Sequence, residues 1–221
     1  MPFVSFEGID GSGKSTQTRL LAAWLTARGE SVVLTKEPDG GRLGQAVRTI
    51  LVDSRNAGML STVEELLLIS AARYDHVRSV IAPALVEGVW VISDRFFDST
   101  FAFQVFETGL DPELFQIVTR AVVGDVAPDL TFILDLPPDL ARLRRTERTA
   151  LKADDPAESY RDFGKIRRGL QAVAQQRPHC CKLIDASGHE GSIAAAIQAV
   201  VEDAELTWRS AIGFGASACV Q

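Results

Sequence analysis

The sequence predicts an α/β fold of three layers, in which helices cover both faces of a five-stranded parallel sheet and a small lid is added. Three observations predict it. A short apolar run at residues 3–6 leads into Gly8-Ile9-Asp10-Gly11-Ser12-Gly13-Lys14-Ser15-Thr16, a complete GxxxxGK[ST] phosphate-binding loop. Strand-like apolar runs at 3–6, 31–35, 90–93, 131–136 and 182–184 alternate with stretches of helical periodicity. The strand-like runs lack strict polar alternation, as expected of strands covered on both faces.

Taken in order, the first run delivers the loop, and apolar spacing over 16–27 predicts the helix that must follow it. Glycines permit the tight turn, and successive N–H groups with the helix N-terminus cradle phosphates. Gly8, Asp10, Gly11, Ser12, Gly13, Lys14, Ser15 and Thr16 are the predicted nucleotide contacts. Among them Lys14 would reach the β- and γ-phosphates, and Ser15 would help hold Mg2+. The second strand ends in Thr35-Lys36-Glu37-Pro38-Asp39-Gly40-Gly41, which reads either as an acceptor pocket shaped by Pro38 or as a plain surface turn. A helix over 43–51 carries Arg48, facing an acceptor phosphate or solvent. The stretch 63–87 is one helix or two, since Pro83 can kink it or begin a new one. Arg73 emerges from its apolar sequence, either where the core meets a cleft or as a snorkelling side chain. His76 has no ligand partner at metal spacing and reads as structural.

The third strand ends in Ser93-Asp94-Arg95-Phe96. In an open parallel sheet the ligand crevice lies beyond the carboxyl ends of the strands. Asp94 is placed there to organise Mg2+ or its waters, and Arg95 to bind a phosphate bidentately. Ser99-Thr100-Phe101-Ala102-Phe103-Gln104 then combines aromatic rings with an amide able to read a base edge. Helices are predicted at 112–123, 138–146, 160–175 and 191–205. The polar segment between the third- and second-last of these, flanked by arginines, is the candidate lid, at 146–160. Residues 1–207 form a single domain on this reading, and 208–221 a tail without periodicity.

With 46% hydrophobic and 24% charged residues among 221, the chain reads as one folded domain rather than a disordered one. A net charge of −6 argues against a large nucleic-acid footprint. Its three cysteines have no metal-ligand spacing. The acidic Glu7 and Asp10 interrupt the apolar start, and no run of about 18 apolar residues occurs, so the expectation is a cytoplasmic protein without a membrane partner.

Taken together, the segments resemble the bacterial thymidylate kinase family, a P-loop NTPase fold of the nucleoside-monophosphate kinase group. The resemblance covers roughly residues 3–200 and rests on four segments. They are the loop 7–16; Lys36-Glu37-Pro38-Asp39-Gly40-Gly41 with Leu43-Gly44 and Arg48; Asp94 through Gln104; and Pro128-Asp129-Leu130-Thr131 with Leu134-Asp135-Leu136-Pro137-Pro138. It implies Mg2+-dependent transfer of the ATP γ-phosphoryl group to dTMP by a homodimer. It also implies that Arg95, Arg73 and Arg48 engage the dTMP phosphate, that Asp10 lies by the deoxyribose, and that Ser99 and Gln104 line the thymine side. Gly11, where other members have arginine, implies that the cation comes from the lid, for which Arg148 and Lys152 are the nearest candidates.

The chain departs from the family pattern at three places. Ile69 stands where the family places a thymine-stacking phenylalanine, Ala72 replaces a polar residue, and Lys152-Ala153-Asp154-Asp155 replaces the lid Asp-Arg pair. Losing one such cation costs on the order of 3 kcal/mol, about 100-fold in rate. Two competing readings follow: a kinase for another deoxynucleotide or nucleoside, and a nucleotide-binding regulatory protein with little turnover.

Overall fold

The computed structural model describes residues 2–56, 59–149 and 161–210, apart from the side chains of residues 55–56, 148–149 and 209–210. Five strands, β1 (Phe3–Glu7), β2 (Val32–Lys36), β3 (Trp90–Asp94), β4 (Leu130–Asp135) and β5 (Cys181–Asp185), form one parallel sheet in the order β2-β3-β1-β4-β5. Every residue of β1 is buried, which fits its uninterrupted Phe-Val-Ser-Phe sequence and its place at the sheet centre. Its one internal polar side chain is satisfied laterally: Ser5 Oγ lies 2.8 Å from Thr131 Oγ1 on β4. Register pairs Phe6 with Asp94, so the segments that follow β1 and β3 leave the same edge of the sheet side by side.

Helix α1 (Lys14–Ala27) starts directly at the loop and buries Lys14, Gln17, Thr18, Leu21 and Leu25, a stripe at helical spacing. After β2 come α2 (Gly44–Asn56) and α3 (Thr62–His76). A reciprocal cap starts α3, with Ser61 N donating to Glu64 Oε2 at 2.7 Å and Glu64 N to Ser61 Oγ at 3.3 Å. The stretch the sequence leaves as one helix or two is continuous: α3 passes through a π-helical turn, Val77–Ile81, into α4 (Ala82–Val86). Pro83 sits in the first turn of α4, where its missing N–H is tolerated, and the widened turn before it keeps the chain helical.

After β3 the chain forms α5 (Phe97–Thr100), continued by a π-helical segment, Phe101–Glu107. Sequence patterning predicts no helix here. The reason is burial on several sides: Phe97, Asp98, Ser99, Thr100, Ala102, Gln104 and Val105 are all buried, which erases the amphipathic signal. The remaining helices are α6 (Pro112–Val123), α7 (Pro138–Thr149), α8 (Phe163–Gln176) and α9 (Glu190–Ser210). Helix α9 runs past the 207/208 boundary, and Trp208 meets Trp90 with ring centroids 6.0 Å apart. No described helix is long and apolar enough to cross a membrane. Residues 150–160, most of the candidate lid, and the tail from 211 onward lie outside the described residues.

Candidate active site

The loop between β1 and α1 is shaped by backbone that only glycine adopts readily. Gly11 has φ +92°, and a Cβ there would lie 2.5 Å from the Ala141 carbonyl oxygen. That contact also excludes an arginine at position 11 in this backbone. Lys14 Nζ folds back along the loop, donating to the Gly8 and Ile9 carbonyls at 3.0 Å each and lying 3.5 Å from Asp10 Oδ1. Burial, and after it the Arg95 charge, push the Lys14 ammonium below its ordinary pKa.

Ser15 Oγ donates to Asp94 Oδ2 at 2.6 Å, joining the start of α1 to the end of β3. Two hard oxygen donors thus stand together at the mouth of the loop. Among the described residues no group of three or more His, Cys, Asp or Glu could hold a metal. The Ser15 and Asp94 oxygens are donors of the kind that suits a hard cation such as Mg2+, which takes few protein ligands and completes its shell with phosphate and water.

Arg95 has φ +76°, left-handed backbone that is costly outside glycine and is retained at functional sites. Its amide still donates to the Phe6 carbonyl, 2.9 Å away, while its guanidinium crosses to β1. Nη1 donates to the Gly8 carbonyl (3.2 Å) and Ser99 Oγ (2.9 Å), and Nη2 to Asp10 Oδ1 (2.5 Å). Behind it, Glu7 accepts from the Phe96 amide (2.7 Å) and from the Ser99 hydroxyl. Burial, and then the Asp98 carboxylate, push Glu7 up to about 8.

Arg73, 2% exposed, pairs with Glu37 through Nη2 (2.7 Å) and Nε (2.8 Å), and donates to Thr100 Oγ1 at 2.9 Å. Its guanidinium lies 5.4 Å from the centre of the Phe96 ring. Burial alone would raise the Glu37 pKa, but Arg73 and His76 outweigh it and hold the carboxyl below its ordinary value. His76 bridges Glu37 (Nδ1, 3.3 Å) and Thr35 (Nε2, 2.8 Å), in keeping with the structural part expected of it. Lys36 pairs with Asp39 at 2.6 Å, and the half-exposed Arg48 reaches within 3.9 Å of the same carboxylate oxygen.

These groups surround one cavity of about 370 Å³. Of the sequence-predicted residues, Asp10, Gly11, Gly13, Lys14, Ser15, Thr16, Pro38, Arg48, Ile69, Arg73, Asp94, Arg95, Ser99 and Gln104 line it. Gly8 and Ser12 do not. Gly8 serves through its carbonyl, and Ser12 faces a second recess of about 360 Å³ with Gly13, Thr16, Arg144 and Gly188. The Arg148 side chain lies outside the described residues, as does Lys152. Among the lining residues, the sequence marks Glu37, Phe103 and Arg161 only as members of a segment, with no individual role. Glu37 lies inside the turn the sequence marked, whereas Arg161 belongs to a basic run that reads either as charge for the transferring phosphoryl group or as solvated helix surface.

Part of the lining is apolar: Leu51, Val52, Ile69 and Phe103. Ala72 packs with Val47 and Leu51 in a small buried cluster that Ile69 borders, so a polar side chain at 72 would be buried in apolar surroundings. Gln104 and Arg161 add polar groups to the lining, and Phe103 has two guanidinium groups near its ring centre, Arg95 at 5.3 Å and Arg161 at 5.5 Å.

A glycine-rich loop with its lysine, a Ser-Asp pair at the ends of adjacent elements and convergent arginines on a parallel sheet define a P-loop kinase-type nucleotide site. The comparisons narrow the class. The thymidylate kinase family model matches residues 6–197. The chain is 44% identical to a thymidylate kinase of Bradyrhizobium sp. (strain BTAi1) over 84% of its own length and 82% of the relative's. It is 39% identical to a thymidylate kinase of Symbiobacterium thermophilum, covering 91% and 92%. The crystal structure of thymidylate kinase from Ehrlichia chaffeensis superposes with a TM-score of 0.73 at 33% identity, over 90% of this chain and 98% of that one. The chain belongs to the thymidylate kinase family.

Proposed function

We propose that this chain transfers the γ-phosphoryl group of ATP to the 5′-phosphate of dTMP, giving ADP and dTDP, with Mg2+ as cofactor. One observation carries the reading: the phosphate-binding loop, the Ser15–Asp94 pair and the arginines Arg48, Arg73 and Arg95 open onto a single cavity whose lining also includes apolar Leu51, Val52, Ile69 and Phe103.

In the mechanism the loop amides and Lys14 hold the donor phosphates, Lys14 exchanging its Gly8 and Ile9 carbonyl partners for phosphate oxygens. Ser15 and Asp94, directly or through waters, would hold Mg2+, which would supply charge neutralisation of the phosphate oxygens. Arg95, Arg73 and Arg48 bind and align the acceptor phosphate, which is itself the nucleophile and needs no strong base. Arg95 and Arg73 are already fixed by carboxylates, so little reorganisation accompanies binding. Asp10, bound to Arg95, stands at the sugar position. Ile69, Leu51 and Phe103 receive the base, and Gln104 offers it a hydrogen-bonding edge. The recess beside Ser12, bordered by Arg144 and Gly188, suits the adenine of the donor. The lid cation, with Arg148 and Lys152 as candidates, completes the scheme.

A homodimer in the cytoplasm is part of this reading. Exposed Ile50, Leu67 and Ile117 on α2, α3 and α6 support the dimer, since α3 packs against both other helices. The deciding experiment incubates purified protein with Mg-ATP and dTMP, dUMP, dCMP, dGMP or thymidine, following ADP and phosphorylated product. Preferential dTDP formation is expected. ATP hydrolysis without acceptor product, or preference for another acceptor, refutes the assignment.

A further inference from the structure

Gln104 lines the cavity on the π-helical segment and is 1% exposed. Its carboxamide has one polarity only. Nε2 lies 2.8 Å from Glu65 Oε2, and an ionised carboxylate accepts hydrogen bonds but donates none, so the amide nitrogen must face Glu65. The amide oxygen is what remains, and Gln104 Oε1 is buried with no hydrogen-bond partner. A buried acceptor left bare is unfavourable until a ligand N–H fills it.

That polarity depends on where the Glu65 carboxylate is held, and Arg161 helps to hold it. Its Nη2 lies 2.9 Å from the same Glu65 oxygen that receives Gln104, and its Nη1 lies 3.0 Å from Glu107 Oε2. Glu107 also accepts from the Asp162 backbone at 2.7 Å, which pins the chain beside Arg161. A carboxylate as buried as Glu65 keeps its charge only beside a cation. With Arg161 removed, the Glu65 carboxylate loses the contact that holds it against Gln104, and the Gln104 carboxamide can turn over to present N–H rather than oxygen to the cavity.

We propose that Arg161 is a positioning residue for selection of the acceptor base. Acting through Glu65, it holds Gln104 with its carbonyl as the free acceptor. The cavity then selects a pyrimidine whose ring N3 carries hydrogen, as in thymine and uracil, over one whose N3 is bare, as in cytosine. A site built to satisfy one buried polar atom rejects the analogue that cannot do so by large factors. The inference rests on the reading above that a pyrimidine 5′-monophosphate occupies the cavity.

The test measures kcat and KM for dTMP and dCMP with Mg-ATP in wild type, R161M, R161K, E65Q and the double variant R161M/E65Q, with thermal unfolding of each. E65Q is nearly isosteric and creates no unpaired carboxylate, and its amide can pair with either edge of Gln104. R161M and E65Q are each expected to lower the dTMP-over-dCMP ratio of kcat/KM at least tenfold, chiefly through KM. R161K recovers most of the ratio, and the double variant is no worse than the lower single. If R161M does not fold, E65Q and R161K decide. A ratio within twofold of wild type in E65Q, or equal weakening of both acceptors, leaves Arg161 a structural role only and overturns the inference. Wild-type protein that does not turn over dTMP overturns the functional reading and this one with it.

Discussion

Replacing Arg73 by methionine separates what that residue does for the fold from what it does for the substrate. The substitution removes two hydrogen-bonded contacts to Glu37, one to Thr100 and a cation over the Phe96 ring. It leaves Glu37, itself 8% exposed, with only His76 facing its other oxygen. Breaking a buried pair by deleting one partner costs about 3–5 kcal/mol, mostly because the remaining charge is stranded. With a denaturation slope near 3 kcal/mol per molar urea, R73M is expected to lower the urea midpoint by more than about 1 M. Adding Glu37→Gln removes the stranded charge, so R73M/E37Q recovers most of that loss.

Acceptor binding behaves differently. If Arg73 contacts the dTMP phosphate, the double variant folds well yet keeps a KM for dTMP raised by roughly 10-fold or more, equivalent to one lost charge-assisted hydrogen bond of about 1.5–3 kcal/mol. KM for ATP stays near wild type. Urea titration and steady-state kinetics on the same preparations provide both readouts. Two results would refute the reasoning: a midpoint shift below about 0.3 M for R73M, or a double variant whose dTMP KM returns to wild type. The second would make Arg73 a partner of Glu37 and nothing more.

Asp94→Asn weakens the hydrogen bond from Ser15 and removes an anionic oxygen from the metal position. It is expected to lower kcat/KM about 10–100-fold and to shift the Mg2+ titration to higher concentration, with little change in thermal midpoint. Glu7→Gln tests the buried carboxyl at the base of the site. With Glu7 raised to about 8 against an ordinary 4.5, the folded protein holds a proton that the unfolded chain has lost across that window. Stability from this group is full below about pH 4.5 and is lost as pH rises towards 8, at up to about 1.4 kcal/mol per unit. Urea midpoints measured from pH 5 to 8 should therefore fall more steeply in wild type than in E7Q; parallel profiles would remove Glu7 from the account. Ile69→Phe adds an aromatic face to the apolar part of the cavity lining and is expected to lower the dTMP KM about 3–10-fold, from the 0.5–1.5 kcal/mol that ring stacking contributes. An unchanged or raised KM would show that Ile69 does not face the base.

The fold was legible where one local signal coincides with one structural cause. Strand β1 is apolar on both faces because the sheet is covered on both, and α1 shows its buried stripe because it has one face to solvent. The segment Phe97–Glu107 fails that test, since a helix buried on several sides has no periodicity to display. The end of α9 failed for a related reason: Trp208 is ordered by Trp90, a partner that patterning cannot see. At Val77–Ile81, Pro83 announced a disturbance but not its form, because whether a proline breaks or widens a helix is decided by the packing on either side.

The site divides along the same line. Residues that act through their own backbone position were readable, because the motif prescribes that position: Gly11, Lys14 and Ser15 follow the first strand, and Asp94 and Arg95 end the third. Glu37, Glu65 and Arg161 pair with partners 36 to 96 residues away in the chain, and their own neighbourhoods, even the marked turn around Glu37, do not show which partner each one holds. What distinguishes them is that each carboxylate fixes the direction of a side chain that faces the cavity. Glu37 holds the Arg73 guanidinium, and Glu65 holds the Gln104 carboxamide. A motif states which chemical groups are present. The buried ion pairs behind them set which way those groups point, and an acceptor site that must tell N–H from bare nitrogen depends on the direction as much as on the group.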